Sequence, residues 1–242
     1  VSWDREGDSG HGTHVAGTVA AVNNNGIGVG GVAGGDGTAG SGVRIMTCQL
    51  FSGNASGGTL NRAQAYKYAA DMGACILQCS FGQDAGNLLS DADFETLYSF
   101  EADALNYFMT HPAPGSPVSG NFAIFASGNE GKDISAYPAA HNRYISVAAF
   151  GPDFLPTSYT NYGPGTNICA PGGDYSINYT SSSPERSQIL STLPKELGKG
   201  EYGYMQGTSM ACPHVSGVVA LALSYAKKLG KTFTYDEFLS MI

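Results

Sequence analysis

With 242 residues, 42% of them hydrophobic, the chain can bury a sizeable core as one large domain or two small ones, and it lacks a charge-dominated disorder signature. A formal charge of −8 argues against nucleic acid, whose binding needs clustered lysine and arginine. No apolar run approaches the ~20 residues of a bilayer span, and 34 glycines favour tight turns and close backbone approaches.

In chain order, short β-rich apolar runs alternate with helical patterns, the sign of an α/β fold built on a parallel sheet. A helix is expected to open at His11. Val43–Cys48 reads as a strand, and a helix from Leu60 to Met72 follows, with Ala63, Tyr66, Ala69 and Ala70 on its inner face. Cys75–Phe81 is the next strand. The helix from Phe94 to Thr110 carries Phe94, Leu97, Tyr98, Leu105 and Phe108 at helical spacing. Phe122–Ala126 is apolar throughout, as expected of a strand covered on both faces. Tyr144–Ala149 and Asn167–Ala170 are further strands, and the last long helix runs from Ser209 to Lys228 with Gly230 as its stop. Pro112–Gly120 reads as a surface loop and Asp174–Gln188 as an exposed excursion. The absence of internal repeats and the shared sheet pattern favour one domain over residues 1–242.

Cys48, Cys75, Cys79, Cys169 and Cys212 form an odd, scattered set without paired zinc spacing, and several read as small buried hydrophobes. The chain opens on Val1 with no secretory leader pattern, as a fragment or a mature piece would. Asn54-Ala55-Ser56 and Asn178-Tyr179-Thr180 are glycosylation sequons.

Acyl transfer by a serine needs a nucleophile, a base to take its proton, and donors for the developing oxyanion. Gly207-Thr208-Ser209-Met210-Ala211-Cys212-Pro213-His214-Val215 puts Ser209 at a helix start, where the hydroxyl is exposed and backbone N–H groups point outward. Pro213 fits the first turn, where a missing N–H costs little. Taken alone, Ser209 would be an ordinary helix cap. His11-Gly12-Thr13-His14-Val15-Ala16-Gly17-Thr18 puts a histidine at another helix start. Between them, a strand runs into Ala126-Ser127-Gly128-Asn129-Glu130-Gly131, where Asn129 taken alone would be a turn residue.

In this order and over nearly the whole chain, the three blocks resemble the signatures of the subtilisin-like serine peptidases. The resemblance implies a three-layer α/β/α fold with a mostly parallel sheet and a serine endopeptidase acting through an acyl-enzyme. It selects Ser209 as nucleophile, His11 rather than His14 as base, and Asn129 as oxyanion donor beside the Ser209 N–H. His14 and His214 are expected to be structural, and His111 and His141 have no motif context.

A protein or peptide substrate would add as an extended strand along Ser80-Phe81-Gly82 and, across from it, Ser56-Gly57-Gly58. Ser80, Phe81, Gly82, Ala126, Ser127 and Gly128 would wall the first specificity pocket, with Ala136 at its floor. A small floor residue suits a medium or large apolar P1 side chain, while Glu130 at the rim would favour a basic one. No cofactor is required. The loop Asn23–Val29 resembles the family's calcium loop, with Asn24 and Asn25 as ligands, and is equally ordinary asparagine turn chemistry. A secreted or cell-envelope location follows from the resemblance alone.

The family's third catalytic residue, an aspartate on a central strand well upstream of the histidine, has no counterpart here. Asp8-Ser9-Gly10 imitates its motif too close to His11, and Asp4 is no better. The resemblance therefore describes an N-terminally incomplete domain. It is expected to be weakly active or inactive, with unpaired sheet edges through which copies could associate. The competing reading is a noncatalytic peptide-binding domain. A lipase-type hydrolase would want Gly-x-Ser-x-Gly and a histidine after the serine.

Overall fold

The computed structural model describes residues 7–177 and 184–241. Asp4 and the Asn178 sequon lie outside the described residues. Its elements are α1 (His11–Ala20), β1 (Phe51–Ser52), β2 (Ala55–Ser56), α2 (Gly58–Asp71), β3 (Ile76–Cys79), α3 (Asp91–Leu97) and α4 (Ser99–Thr110). There follow β4 (Phe122–Ala126), β5 (Ile145–Phe150), β6 (Ile168–Pro171), β7 (Ile189–Thr192), β8 (Tyr202–Met205), α5 (Thr208–Lys228) and α6 (Tyr235–Leu239).

Four parallel strands in the order β3-β4-β5-β6 form the central sheet, and β1-β2 and β7-β8 are small antiparallel pairs. Every residue of β4 is buried, and its side chains alternate between two cores. Ala123 and Phe125 join Tyr66, Phe94, Leu105 and Phe108 of α2, α3 and α4 on one face. Phe122, Ile124 and Ala126 join Ala211, Val215, Val219 and Leu223 of α5 and Phe238 of α6 on the other. Helices thus cover both faces of the sheet, giving three layers.

The inner face of α2 is buried at Ala63, Tyr66, Ala69 and Ala70, as its periodicity requires. Tyr66 reaches Glu101 of α4, which is fully buried and chelated by Arg62 through Nε–Oε1 and Nη2–Oε2 contacts of 2.8 Å each. Two expected elements differ. The 94–110 pattern is two helices, because Tyr98 leaves helical geometry (φ −122°, ψ 39°) and turns Leu97 out to 69% exposure. Residues 43–48 form no strand: Val43 N–H donates to Ala33 O at 2.9 Å, but no strand among the described residues pairs with the segment and most of its side chains face solvent. β3 consequently ends the sheet on that side.

α1 packs on α5 and on β7. Gly17 makes the second contact possible, because a Cβ there would lie 2.1 Å from Thr192 Oγ1. By length and a mean hydropathy of 1.3, α5 could cross a membrane, yet 56% of that window is buried here. The Pro112–Gly120 loop precedes β4 and touches the C-terminal segment through a bridge between Val118 and Phe233. All five cysteines are free, with Cys79 and Cys212 buried and Cys48 and Cys169 exposed.

Candidate active site

The parallel strands release their C-terminal ends on one rim, where ligand crevices of open α/β sheets form. Ser80 directly follows β3 and Ser127 directly follows β4. The N-terminus of α5 meets them there. Gly207 caps that helix at φ +142°, a region closed to side-chain-bearing residues, so the chain turns sharply into Thr208 and Ser209. Ser209 is half-buried. Its hydroxyl donates to the Ser80 carbonyl at 3.2 Å, and Ser80 Oγ donates to the Ser209 carbonyl at 2.7 Å. Gln78 Nε2 in turn donates to Ser80 Oγ at 2.7 Å.

Asn129 stands across from this turn. Its Oδ1 accepts from the Thr208 N–H at 2.8 Å and from the Thr208 hydroxyl at 3.0 Å. With the oxygen held by Thr208, the Nδ2 donors carry no protein partner among the described residues. A Cβ placed on Gly207 would lie 3.7 Å from Nδ2, so the amide sits beside the helix start that presents Ser209. Thr208 belongs to the Gly207–Val215 block but has no role of its own there, and Gln78 escapes sequence reading because a polar residue in a strand carries no pattern. Asn161 escapes it too: it looks like a turn asparagine before Tyr162-Gly163-Pro164, yet it is fully buried against the Ser127–Lys132 loop.

His11 begins α1 after Gly10 (φ +74°) and is partly buried. That burial holds its pKa below the ordinary 6.5. Among the described residues no hydrogen bond joins His11 to Ser209, and no carboxylate bonds the His11 ring. Asp8 is engaged elsewhere: its Oδ1 accepts from Gly53 N at 2.5 Å, while buried Oδ2 has no partner among the described residues. His14 is fully buried and its Nε2–H donates to the carbonyls of Ile189 (3.0 Å) and Gly203 (3.1 Å). His214 Nδ1–H donates to Met210 O at 2.8 Å, one turn back on α5. His141 lies between Glu95 and the Arg143 amide, and His111 stacks on Tyr107.

The pocket segments come together around Ala136, which is buried and donates its N–H to Ser127 O at 2.8 Å. A Cβ on Gly82 would touch Ala136 Cβ at 3.8 Å, so the two walls share this floor. Phe81 packs edge-on against Phe125 and Phe51. Gly57 and Gly58 depart from expectation. Gly57 is helical (φ −70°, ψ −5°) and Gly58 opens α2 at φ +67°, so neither offers an extended edge. Only the two-residue β2 before them is extended.

In the Asn23–Val29 loop, Asn24 takes a left-handed conformation (φ 57°) and its Nδ2 faces Asp36 O. Asn25 Oδ1 accepts from Ile27 N at 2.9 Å. Both side chains thus make hydrogen bonds within or beside the turn, and no cluster of three or more His, Cys, Asp or Glu suited to a metal occurs among the described residues.

The site thus lies on a parallel sheet covered on both faces, with a serine at a helix N-terminus and a side-chain amide beside it. The chain belongs to the subtilase family, whose model matches residues 3–237. It is 32% identical over 217 residues to the "Thermophilic serine proteinase" of Bacillus sp. (strain AK1), covering 90% of this chain and 43% of that proteinase. It is 31% identical over 248 residues to the "Extracellular basic protease" of Dichelobacter nodosus, covering 96% of this chain and 34% of that one. A solved protease structure from Pseudoalteromonas arctica superposes with a TM-score of 0.68 at 31% identity, covering 97% of this chain and 63% of the other. The chain thus spans less than half the length of these two curated relatives.

Proposed function

We propose that the chain is a serine endopeptidase, with Ser209 as nucleophile, His11 as general base, and Asn129 Nδ2 with the Ser209 N–H as the oxyanion hole. Ser209 Oγ attacks the peptide carbonyl carbon as its proton passes to His11. The C–N bond then breaks, the amine leaves with the proton from His11, and water resolves the acyl-enzyme by the same route. The single observation that carries this reading is the Thr208 clamp on Asn129 Oδ1, which leaves the amide donors to face a developing oxyanion. The Ser209 hydroxyl must swing from Ser80 O toward His11 for the reaction, and catalytic contacts commonly tighten only with substrate bound.

With no carboxylate on its ring among the described residues, His11 lacks the group that fixes its tautomer and stabilises its charged form. Loss of that group in subtilisin costs roughly 3 × 10⁴-fold in turnover. On this reading the chain as given is weakly active or inactive, and the β3 edge is the place where copies of it would associate. Its substrate is a protein or peptide laid along Ser80-Phe81-Gly82, with the P1 side chain over Ala136, an apolar one suited to that small floor or a basic one to Glu130. A secreted or cell-envelope location is supported by the extracellular relative.

The test is labelling with a fluorophosphonate at high concentration, with the modified peptide mapped. Adduct at Ser209 and none in folded Ser209→Ala is the expected result. A folded chain that binds peptides yet never labels would instead be a noncatalytic peptide-binding domain.

A further inference from the structure

We infer that Asn161 is the positioning residue of the oxyanion site, acting through Asn129 by holding the loop that carries it. This rests on the serine peptidase reading above. The Asn161 side chain is 0% exposed and every one of its hydrogen-bonding positions is used. Oδ1 accepts from Glu130 N (3.1 Å) and Lys132 N (3.0 Å), while Nδ2 donates to Ser127 O (3.0 Å) and Glu130 Oε2 (2.6 Å). Its backbone adds two bonds to the same loop, donating to Gly128 O at 3.1 Å and accepting from Ser127 Oγ at 3.2 Å.

These six bonds bracket Asn129 on both sides and leave Asn129 itself to Thr208. The same Thr208 hydroxyl accepts from Gly128 N at 3.3 Å, so the loop is held from two directions. The close fit also depends on Gly128. Its φ is +108°, and a Cβ there would lie 2.2 Å from Asn161 Nδ2. A buried amide with all positions filled has one orientation, because any rotation strands several polar groups without partners. That rigidity suits an oxyanion donor, which must wait within about 2.7–3.1 Å of where charge develops. It also ties one oxygen of the exposed Glu130 carboxylate to Asn161.

The experiment measures the second-order rate of Ser209 labelling by the fluorophosphonate, together with kcat and KM on a peptide anilide. The proteins are wild type, Asn161→Ala, Asn129→Ala and the double variant. Asn161→Ala should slow labelling and lower kcat by roughly tenfold or more with KM nearly unchanged. The double variant should be no slower than Asn129→Ala alone, because Asn161 acts through that residue. Single effects that multiply, or a wild-type rate in Asn161→Ala, would overturn the assignment.

If Asn161→Ala does not fold, Asn161→Asp keeps both accepted bonds but sets carboxylates against Ser127 O and Glu130. Adding Glu130→Gln reverses the donor and acceptor of that last pair, and recovery of the rate is expected; no recovery would overturn the assignment. Should wild type itself fail to label, the peptidase reading falls, and backbone hydrogen exchange decides the positioning claim separately. In whichever of Asn161→Ala and Asn161→Ser folds, the Glu130 and Lys132 amides should exchange faster while β4 stays protected. Unchanged exchange at those two amides would end the claim.

Discussion

Thr208 holds the side-chain oxygen of Asn129 twice, through its backbone N–H at 2.8 Å and its hydroxyl at 3.0 Å. The residue beside the candidate nucleophile therefore orients the amide across from it, and both travel on the same rigid helix start. Thr208→Val removes one of the two donors to Asn129 Oδ1 and leaves the part-buried Gly128 N–H without its acceptor, at about 1–3 kcal/mol. The expected outcome is a fall in kcat of about 5- to 100-fold with little change in KM, whereas Thr208→Ser stays near wild type. Steady-state kinetics on a peptide anilide separates the two.

Asn129→Ala removes the donor itself. The corresponding loss in subtilisin costs roughly 10²–10³-fold in turnover, and the same range is expected here. Because the bond strengthens only as the oxyanion forms, KM should hardly move. A rise in KM at constant kcat would assign Asn129 to ground-state binding instead.

Burial holds the His11 pKa below 6.5, so the ring stays neutral, and competent as a base, to lower pH than a free histidine. The acid limb of the labelling rate should therefore fall below pH 6.5. A negative group facing the ring would stabilise its charged form and move the limb upward. A limb above 6.5 in this chain would thus mean that a carboxylate reaches His11 in solution.

His14 sets a second pH dependence, of stability. Burial lowers its pKa first, its bonds to Ile189 and Gly203 partly oppose this, and the charges of His11 and His214 add to the lowering. Protonation would place a second N–H at Nδ1, which is buried without a partner among the described residues. A depressed folded-state value means that the stabilisation is full above 6.5 and is lost as pH falls through the folded pKa. Tm should drop between pH 7 and pH 5, with a shallower slope in His14→Gln. His11 and His214 shift in the same direction, so the slope is reduced without vanishing.

The Arg62–Glu101 pair joins α2 to α4 and tests the scaffold. Glu101 is buried, its side chain 1% exposed against 17% for Arg62. Arg62→Ala would strand a carboxylate between α2 and α4, at a cost of about 3–5 kcal/mol. Replacing both with Met and Leu should recover most of that loss. Urea denaturation of the two variants is the measurement, and a single-variant loss under about 1 kcal/mol would contradict the buried pairing.

Much of this architecture is legible in the residues. Phe122–Ala126 announces a strand covered on both faces because all five positions are apolar, and α2 announces its inner face by spacing. Periodicity misleads where geometry is set from outside the segment. Val43–Cys48 has strand composition, but a strand exists only with a partner, and no partner strand is described beside it. The 94–110 pattern continues through Tyr98 although the backbone does not. Around the site, Ser209, His11 and Asn129 stand out only through the resemblance of their flanking blocks to a known family; taken alone each would be an ordinary cap or turn residue. Asn161 and Gln78 stay invisible: each is a common residue whose meaning lies in partners distant along the chain.

The parallel run of β3 and β4 also gives the protein a front and a back. Ser80 and Ser127 leave the sheet at one rim, and the Pro112–Gly120 loop enters β4 at the other. A strand of five residues separates them by roughly 16 Å. A tether, a tag or a surface anchor attached within that loop would leave the peptide-facing rim open. The back rim is the side by which this molecule can be held while it works.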